Sequence, residues 1–497
     1  MNDNSTDSKP DNSATKPAAT PADTPVDTPV TTPASPLNLA SDDDPKHRLT
    51  PGRLRERVVL LAEHTFKFAL DAAGLLYVYD AGRYHADGEE RLRHWIMEQL
   101  RRSGNMMFWT QRWERDTIAA LSRCKPRLWE RPPDMRICLL NGILDIPTLT
   151  FAPHSPDWLS SVQIPITYDA DARDAAWPTF LADVFPADAL DYAWEVVGGC
   201  LTPWRGVQEG AWLSGTGANG KSTFGQALMH LVGRDNVSSV SIAELDSDRF
   251  AAAELYGKLL NIDLDAETTS WKSTSVFKKS VVGDLIRAQH KNARAFTFRP
   301  HCKMVIASNS LPRAADTTEG FMRRWTIVPF TRNFDLLARR RSQDSLIAEL
   351  TTPYALSAAL NLALAGLFRL TTNHQHTAAA SLAAARSEYR HAADPIFRFA
   401  AHVLVTVNTM LQAIPDAQQR AQLAAEGVFM PTERMEELYM EWSLGQLDAK
   451  VITQQHLHAW FQRNMASQFM PHRQTGSAGE RARGFLVKLT TDVRYVQ

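Results

Sequence analysis

The 497-residue chain is poor in cysteine. It has four (Cys124, Cys138, Cys200 and Cys302), with no CxxC pair and no histidine at metal-ligand spacing. That scatter excludes a disulfide framework and a zinc knuckle, and it fits inert thiols in a reducing cytoplasm. Excess charge of one sign is also missing: 54 Lys+Arg against 55 Asp+Glu leave a net −1. The whole chain is therefore neither a basic coat protein nor an acidic tail. No uninterrupted apolar run approaches the roughly 18–20 residues a bilayer demands. The longest approach, Ala355 to Phe368, is broken by Ser357, Asn361 and Gly366. The N-terminus lacks the apolar core of a secretory signal. The expectation is a cytoplasmic protein with no membrane partner. Aromatics are absent before Phe66, and nine of the 27 prolines fall within residues 1–51. Such a segment cannot bury enough apolar area to offset its ordering entropy, so residues 1–50 are expected to be a disordered Pro/Thr/Ala-rich tail.

What is present has the composition of a globular protein, 44% hydrophobic and 22% charged, and is long enough for about three domains of ~150 residues. Residues 51–205 read as an α+β domain. A helical period runs from Arg53 to Leu70. Leu76–Tyr79 and Arg83–Tyr84 look like strands about a turn, and a helix is expected from Glu89 to Arg101. Asn141-Gly142 between apolar runs signals a hairpin, and another helix is expected over Asp188–Leu201. From 206 to 335, short apolar strands alternate with helices, which suggests a parallel α/β sheet. Residues 336–425 are Ala/Leu-rich and helical. Residues 426–497 read as a helix over Met435–Leu444, a helix over Gln454–Ser467 and a basic hairpin, the pattern of a winged helix.

The segment Gly215-Thr216-Gly217-Ala218-Asn219-Gly220-Lys221-Ser222 matches GxxxxGK[ST]. Glycines let successive backbone N–H groups turn inward around an anion, and the helix that follows adds its positive end. Lys221 is expected to reach the β- and γ-phosphates of ATP, and the Ser222 hydroxyl to sit on Mg²⁺. Thr223 completes the nucleotide-binding stretch. The motif follows the apolar run Ala211–Leu213 and opens a helical stretch, which is the context it requires.

A hydrolysing site also needs an acid at the end of a neighbouring strand. Leu259–Glu267 offers Asp263, Asp265 and Glu267, which share one face if the strand continues. Asn309 ends the apolar run Lys303–Ser308 as a candidate γ-phosphate sensor. Arg323 and Arg324 precede the next apolar run and suit transition-state stabilisation from an adjacent subunit. Residues 276–303 hold seven Lys/Arg, among them Lys278, Lys279, Lys291 and Arg294, against the single acid Asp284. This local basic strip suits phosphate contact with DNA. Phe296 and Phe298 read as base-stacking or core residues, with core favoured. Near the C-terminus Arg481 and Arg483 offer a second DNA contact.

The ordered set GTGANGKST, LLNIDLDAE, FKKSVVGDLIRAQHKNARAFTFRP, KMVIASNSLP and FMRRWTIVPF resembles the superfamily 3 helicase core. More narrowly, it is similar to the phage/plasmid primase–helicase family, which shares that core with poxvirus-type replicative ATPases. The stretches NGILDIPTLTFAPHSPDWLSSVQIPITYDADA and VFPADALDYAWEVVGGCLT resemble the domain before this core. The resemblance covers about residues 70–497. It implies an AAA+-like P-loop core between an α+β N-terminal domain and a C-terminal winged helix. It also implies ATP-driven 3′ to 5′ translocation on single-stranded DNA as a homo-hexamer, in the cytoplasm of a bacterial host.

In this family the acid matches Asp265, with Asp263 next. Asp265 would hold Mg²⁺ with Ser222, Asn309 would be the sensor, and Arg324 or Arg323 the finger acting in trans. The region around Lys291 forms the family's DNA-engaging hairpin. Many relatives carry a primase domain before the core. No such stretch precedes it in this sequence, so no primer synthesis is expected, and a separate primase is a candidate partner. The rival from another class is an initiator or loader that binds origin or fork DNA and uses ATP as an assembly switch. A P-loop small-molecule kinase would need an acceptor pocket for which no sequence signal is found.

Overall fold

The computed structural model describes residues 49–123, 125–266, 274–291, 294–310, 319–336, 341–445, 452–475 and 481–489. The expected tail, Cys124 and Glu267 lie outside them. The chain forms two compact units. One comprises the residues up to Thr65 with Arg93–Thr117, and the other Phe66–Leu92 with Ile118 onward.

Helix α1 (Pro51–Thr65) starts on proline, whose missing N–H costs nothing in a first turn. Leu54, Val58 and Ala62, four residues apart, are its buried stripe. The expected helix to Leu70 ends early. Phe68–Leu70 is instead strand β1, paired antiparallel with β2 (Leu76–Asp80), which pairs with β3 (Arg83–His85). A short apolar run fits either period, and here the turn at Ala72-Ala73 decides for strand. Ala81 and Gly82 both take positive φ (47° and 95°), the hairpin geometry that matches strand twist.

Helices α2 (Gly88–Arg102) and α3 (Gln111–Ser122) follow. In the first unit the Trp113 indole donates to the Pro51 carbonyl (2.8 Å). A second small sheet joins β4 (Arg136–Leu139), β5 (Gly142–Asp145) and β6 (Thr150–Ala152); the hairpin forms as expected, but its turn is Leu140-Asn141, one residue before the expected Asn141-Gly142, because Gly142 pairs with Leu139. Helices α4 (Ala176–Val184) and α5 (Leu190–Gly199) lead to the main sheet.

That sheet holds β7 (Gly210–Ser214), β8 (Val237–Ser238), β9 (Leu260–Asp263), β12 (Lys303–Ser308) and β13 (Trp325–Pro329). Its order is β13-β7-β12-β9-β8, and every pair is parallel. Between these strands lie α6 (Lys221–Val232), α7 (Ile242–Ser247), α8 (Ser275–Val282), the hairpin β10 (Ile286–Ala288) with β11 (Phe296–Phe298), and α9 (Glu319–Met322). Successive strand residues join two different cores, as the two-residue period requires. Ala211, Leu213, Val305 and Ala307 pack with α5, α6 and α11. Trp212, Met304, Ile306 and Trp325 pack with α8 and α12.

Helices α10 (Gln343–Leu350), α11 (Pro353–Asn373), α12 (Ala380–Ala393), α13 (Pro395–Gln412) and α14 (Ala417–Glu426) form the expected helical stretch. By length and composition α11 is apolar enough to cross a membrane, contrary to the expectation from its interrupted run. Its apolar face is instead packed against α5. Gly198 and Gly366 sit at that crossing, and a Cβ on either would fall within 3.0 Å of the other helix's backbone. Beneath the crossing the buried Glu195 accepts from Arg369 Nε (2.8 Å), Thr377 N (2.7 Å) and Thr377 Oγ1 (2.5 Å). Burial alone would raise its pKa, but the nearby His376 (3.5 Å) and the bonds from Thr377 and Arg369 prevail and hold it at about 2.

The C-terminal module has α15 (Thr432–Ser443), α16 (Gln454–Asn464) and a three-stranded antiparallel sheet. The sheet's order is β14 (Val428–Pro431), β16 (Arg481–Val487), β15 (Phe469–Thr475). Helix α16 stops at Asn464, short of the expected Ser467. The module shares one core with α13, in which Phe461 stacks on Phe469 with centroids 4.2 Å apart.

Candidate nucleotide site

The Gly215–Ser222 loop joins the C-terminal end of β7 to α6. Gly217 (φ 112°), Ala218 (φ 46°) and Gly220 (φ 86°) carry the positive φ values that turn the backbone inward. A Cβ on Gly220 would also strike Val184 at the end of α4. Ala218 is not a glycine, so its conformation is strained, as is common where a backbone must shape a binding site. The first intrahelical bond of α6 runs from Phe224 N to the Gly220 carbonyl (2.9 Å). The N–H groups of Lys221, Ser222 and Thr223 therefore lack intrahelical acceptors, the arrangement that attracts an anion.

Lys221 is nearly buried (5% exposed), and burial lowers the pKa of its amine. The amine donates to the Gly215 carbonyl (2.7 Å), Asn219 Oδ1 (2.8 Å) and Asn309 Oδ1 (3.3 Å). Asn219 is a lock as well as a loop residue: its Nδ2 donates to the carbonyl of Phe330, beyond β13 (2.7 Å).

A cavity of about 780 Å³ opens here, lined by Gly217 to Thr223, Asp265 and Asn309 among others. The structure thus brings Lys221, Ser222, Asp265 and Asn309 to one place. Asp263 is the last residue of β9 and is not on the wall. The strand does not continue past it, so the expected shared face with Asp265 is not formed. Asp263 Oδ1 instead accepts from Asp265 N (3.3 Å), turning the chain so that the exposed Asp265 faces the cavity. Ser222 and Asp265 offer hard oxygen donors that fit Mg²⁺ arriving with a nucleotide. Among the described residues no group of three or more His, Cys, Asp or Glu is placed to hold a metal ion by itself.

The cavity also holds residues that no motif marks. Arg332 pairs with Asp183 of α4, and Arg341 with Glu349 of α10. Phe334, whose N–H donates to the Ala218 carbonyl (2.8 Å), closes another wall. Nothing in the local sequence singles them out: Arg332 and Arg341 are two of four arginines between positions 332 and 341.

Arg323 and Arg324 stand elsewhere. Trp325 is in register with Gly210, and Pro329 with Ser214. The arginine pair therefore lies at the end of the sheet opposite the loop, about 16 Å away along five strand residues. Arg323 is exposed. Arg324 is half-buried, its Nε has no hydrogen-bond partner among the described residues, and burial followed by Arg323 lowers its pKa.

The basic strip is smaller than its residue count. Lys279, Arg287, Lys291 and Arg294 are exposed, and Lys278 is half-buried on α8. Lys303, however, donates to the Trp204 carbonyl, and burial reinforced by Arg205 pushes its pKa down to about 7. Arg299 turns back to the Gly283 carbonyl (3.1 Å). A charge count does not distinguish inward from outward side chains. Lys291 and Arg294 flank the tip of the β10–β11 hairpin, as expected. Phe298 is buried, and Phe296 lies between Tyr256 and His290, so both serve packing. Arg483 is exposed on β16; Arg481 begins that strand, its side chain outside the described residues.

Residues 71–186 match the family described as "D5 N terminal like", and residues 213–324 match a family of unknown function, DUF5906. The first match ends before the phosphate loop and the second contains it. A protein of Acanthamoeba polyphaga mimivirus named "Putative helicase L207/L206" is 25% identical over 206 residues. That match covers 39% of this chain and 21% of the mimivirus protein, so the chain spans about a fifth of that relative's length. The chain resembles the phage/plasmid primase–helicase family. In fold, it is similar to two apo structures of the NrS-1 C-terminal region, at TM-scores of 0.51 and 0.50 and 13% identity. Each covers 88% of this chain, which spans 100% and 99% of those structures.

Proposed function

We propose that this chain is an ATP-dependent DNA helicase of phage or mobile-element replication. It works as a ring, a homo-hexamer by family analogy, on single-stranded DNA in the bacterial cytoplasm. The observation that carries the reading is the convergence of Lys221, Ser222, Asp265 and Asn309 on one cavity at the C-terminal ends of parallel strands. Resemblance to primase–helicases, and the name of the mimivirus relative, support it.

In this reading the loop is a P-loop in an AAA+-like superfamily 3 core. Its N–H groups cradle the phosphates, and Lys221 leaves its three resting acceptors for the β- and γ-phosphates. Ser222 and Asp265 hold Mg²⁺, and Asn309 orients the γ-phosphate and the attacking water. Arg323 or Arg324 reaches a neighbour's nucleotide, since it cannot reach its own. Lys278, Lys279, Lys291 and Arg294 follow the DNA strand. The C-terminal module is a winged helix whose Arg481 and Arg483 grip origin or fork duplex, and a separate primase supplies primers.

The test is ATP hydrolysis with and without single-stranded DNA, with Lys221→Ala as the blank. The expected result is strong stimulation that vanishes in the variant. DNA binding without stimulation would sink the motor and leave an initiator that uses ATP as a switch.

A further inference from the structure

Trp212 is the middle residue of β7, which lies between β13 and β12, and is fully buried. Its register partner on β12 is Ile306, so Ser308, two residues on, projects from the same face. The Trp212 indole N–H donates to Ser308 Oγ at 2.9 Å. Ser308 is 2% exposed on an otherwise apolar face, where a hydroxyl without a partner is costly. Ser308 immediately precedes Asn309, and its carbonyl accepts from Gly215 N at the start of the phosphate loop (3.3 Å). One indole thus holds the strand end that presents Asn309 to Lys221.

The same ring reaches the other end of the sheet. Its edge meets Trp325 of β13, with centroids 5.4 Å apart at 61°. Trp325 directly follows Arg324 and stacks flat on Phe277 of α8 (4.5 Å, 6°). Trp212 also meets Tyr389 of α12 (5.6 Å). One turn before Tyr389, Arg386 donates to the carbonyl of Met322, just ahead of Arg323-Arg324 (3.0 Å). Trp212, Trp325, Tyr389 and Phe277 are each no more than 2% exposed. A close-packed aromatic cluster transmits displacement, because it has no free volume to absorb it.

We propose that Trp212 is a positioning residue for both halves of the ATPase machinery. It sets Asn309 toward this subunit's nucleotide through Ser308. It also sets the Arg323–Arg324 pair, through Trp325, toward the nucleotide of a second copy of this chain. This inference rests on the motor reading above. It adds that the γ-phosphate sensor and the arginine pair share one buried anchor.

The experiment uses the full chain as wild type, Trp212→Phe, Ser308→Ala and the double variant. Phenylalanine keeps most of the ring packing and removes the N–H. Ser308→Ala removes the acceptor and leaves the ring untouched, so it serves if the first variant folds poorly. Each is measured for ATP binding, for turnover stimulated by a single-stranded oligonucleotide, and for melting temperature. With one buried hydrogen bond removed, the expected fall in kcat is about tenfold, with KM and ATP binding within about twofold of wild type. The double variant should be no slower than Trp212→Phe, because both changes break one bond.

A merely structural indole would lower the melting temperature and leave kcat alone. That result, an equal loss of ATP binding, or losses that multiply in the double variant would overturn the inference. Wild-type protein without turnover would remove the motor reading and this inference together. Active wild type with an unaffected Trp212→Phe would remove only this one.

Discussion

Arg323 and Arg324 sit about 16 Å along the sheet from the loop of their own subunit, by the rise of five strand residues. A guanidinium spans less than half of that, so in the proposed motor the nucleotide it serves belongs to another copy. Arg324→Ala should therefore cost turnover on the order of 10³-fold, the lower end for a transition-state arginine, with ATP binding intact. The trans geometry gives a sharper number. In rings assembled from equal amounts of Lys221→Ala and Arg324→Ala, each site takes its loop from one subunit and its arginine from the next. About a quarter of the sites then combine a normal loop with a normal arginine, whatever the ring size. Two inactive proteins should thus regain up to about a quarter of wild-type hydrolysis when co-assembled. Coupled-enzyme ATPase assays on co-expressed, doubly tagged protein would read this, with the ratio varied as a control. The same mixture made with Arg323→Ala shows which arginine acts. Confirmed mixed rings that stay inactive with both arginine variants would refute the trans assignment.

Other expectations follow from packing and charge. Gly366→Ala would place a Cβ within 3.0 Å of the Trp194 backbone. Overpacking should cost about 1–3 kcal/mol, offset by up to about 1 kcal/mol of helix propensity, as a lower urea midpoint would show; an unchanged midpoint would contradict the close crossing. Glu195 has a folded pKa of about 2, against 4.5 for an ordinary glutamate. A depressed carboxylate stabilises fully above its unfolded pKa and loses that contribution as pH falls from about 4.5 toward 2. The gap between wild type and Glu195→Gln in melts should start at about 3 kcal/mol at pH 7 and shrink on acidification; a gap independent of pH would count against the network. Lys291→Ala with Arg294→Ala should weaken single-strand binding and flatten its salt dependence by about 0.7 for each phosphate no longer neutralised. Lys303→Met should leave that slope unchanged, and a matching decrease there would mean that its amine faces DNA.

Legibility in the sequence followed the range of the forces involved. The Gly215–Ser222 loop was readable because an anion cradle dictates residue types within one short stretch. The β4–β5 hairpin and the helices around α11 were readable for the same local reason, although the turn itself is one residue before the Asn141-Gly142 pair that signalled it. The switch of Phe68–Leu70 from helix to strand was not, since three apolar residues satisfy both periods until Leu76–Asp80 offers a partner. Asn219 was placed in the loop, but its bond to Phe330 spans 111 positions and has no local signature. Arg332 and Arg341 were missed because only the folded cavity makes them neighbours of the loop. Lys303 was counted as surface charge because composition carries no direction, whereas the strand alternation that starts at Lys303 turns it toward Trp204.

The bond from Asn219 to Phe330 also bears on how the protein is made. On a translating ribosome Asn219 emerges 111 residues before the carbonyl that holds it. β7 has neither of its partners when it appears, since both β12 and β13 follow it far along the chain. Pairings of such long range form late. A nascent chain halted before β13 would carry the whole nucleotide motif yet lack the clamp on Asn219. The loop would therefore gain its clamp in the same step that completes the sheet, so in the proposed reading a chain becomes competent for nucleotide only once its sheet is whole.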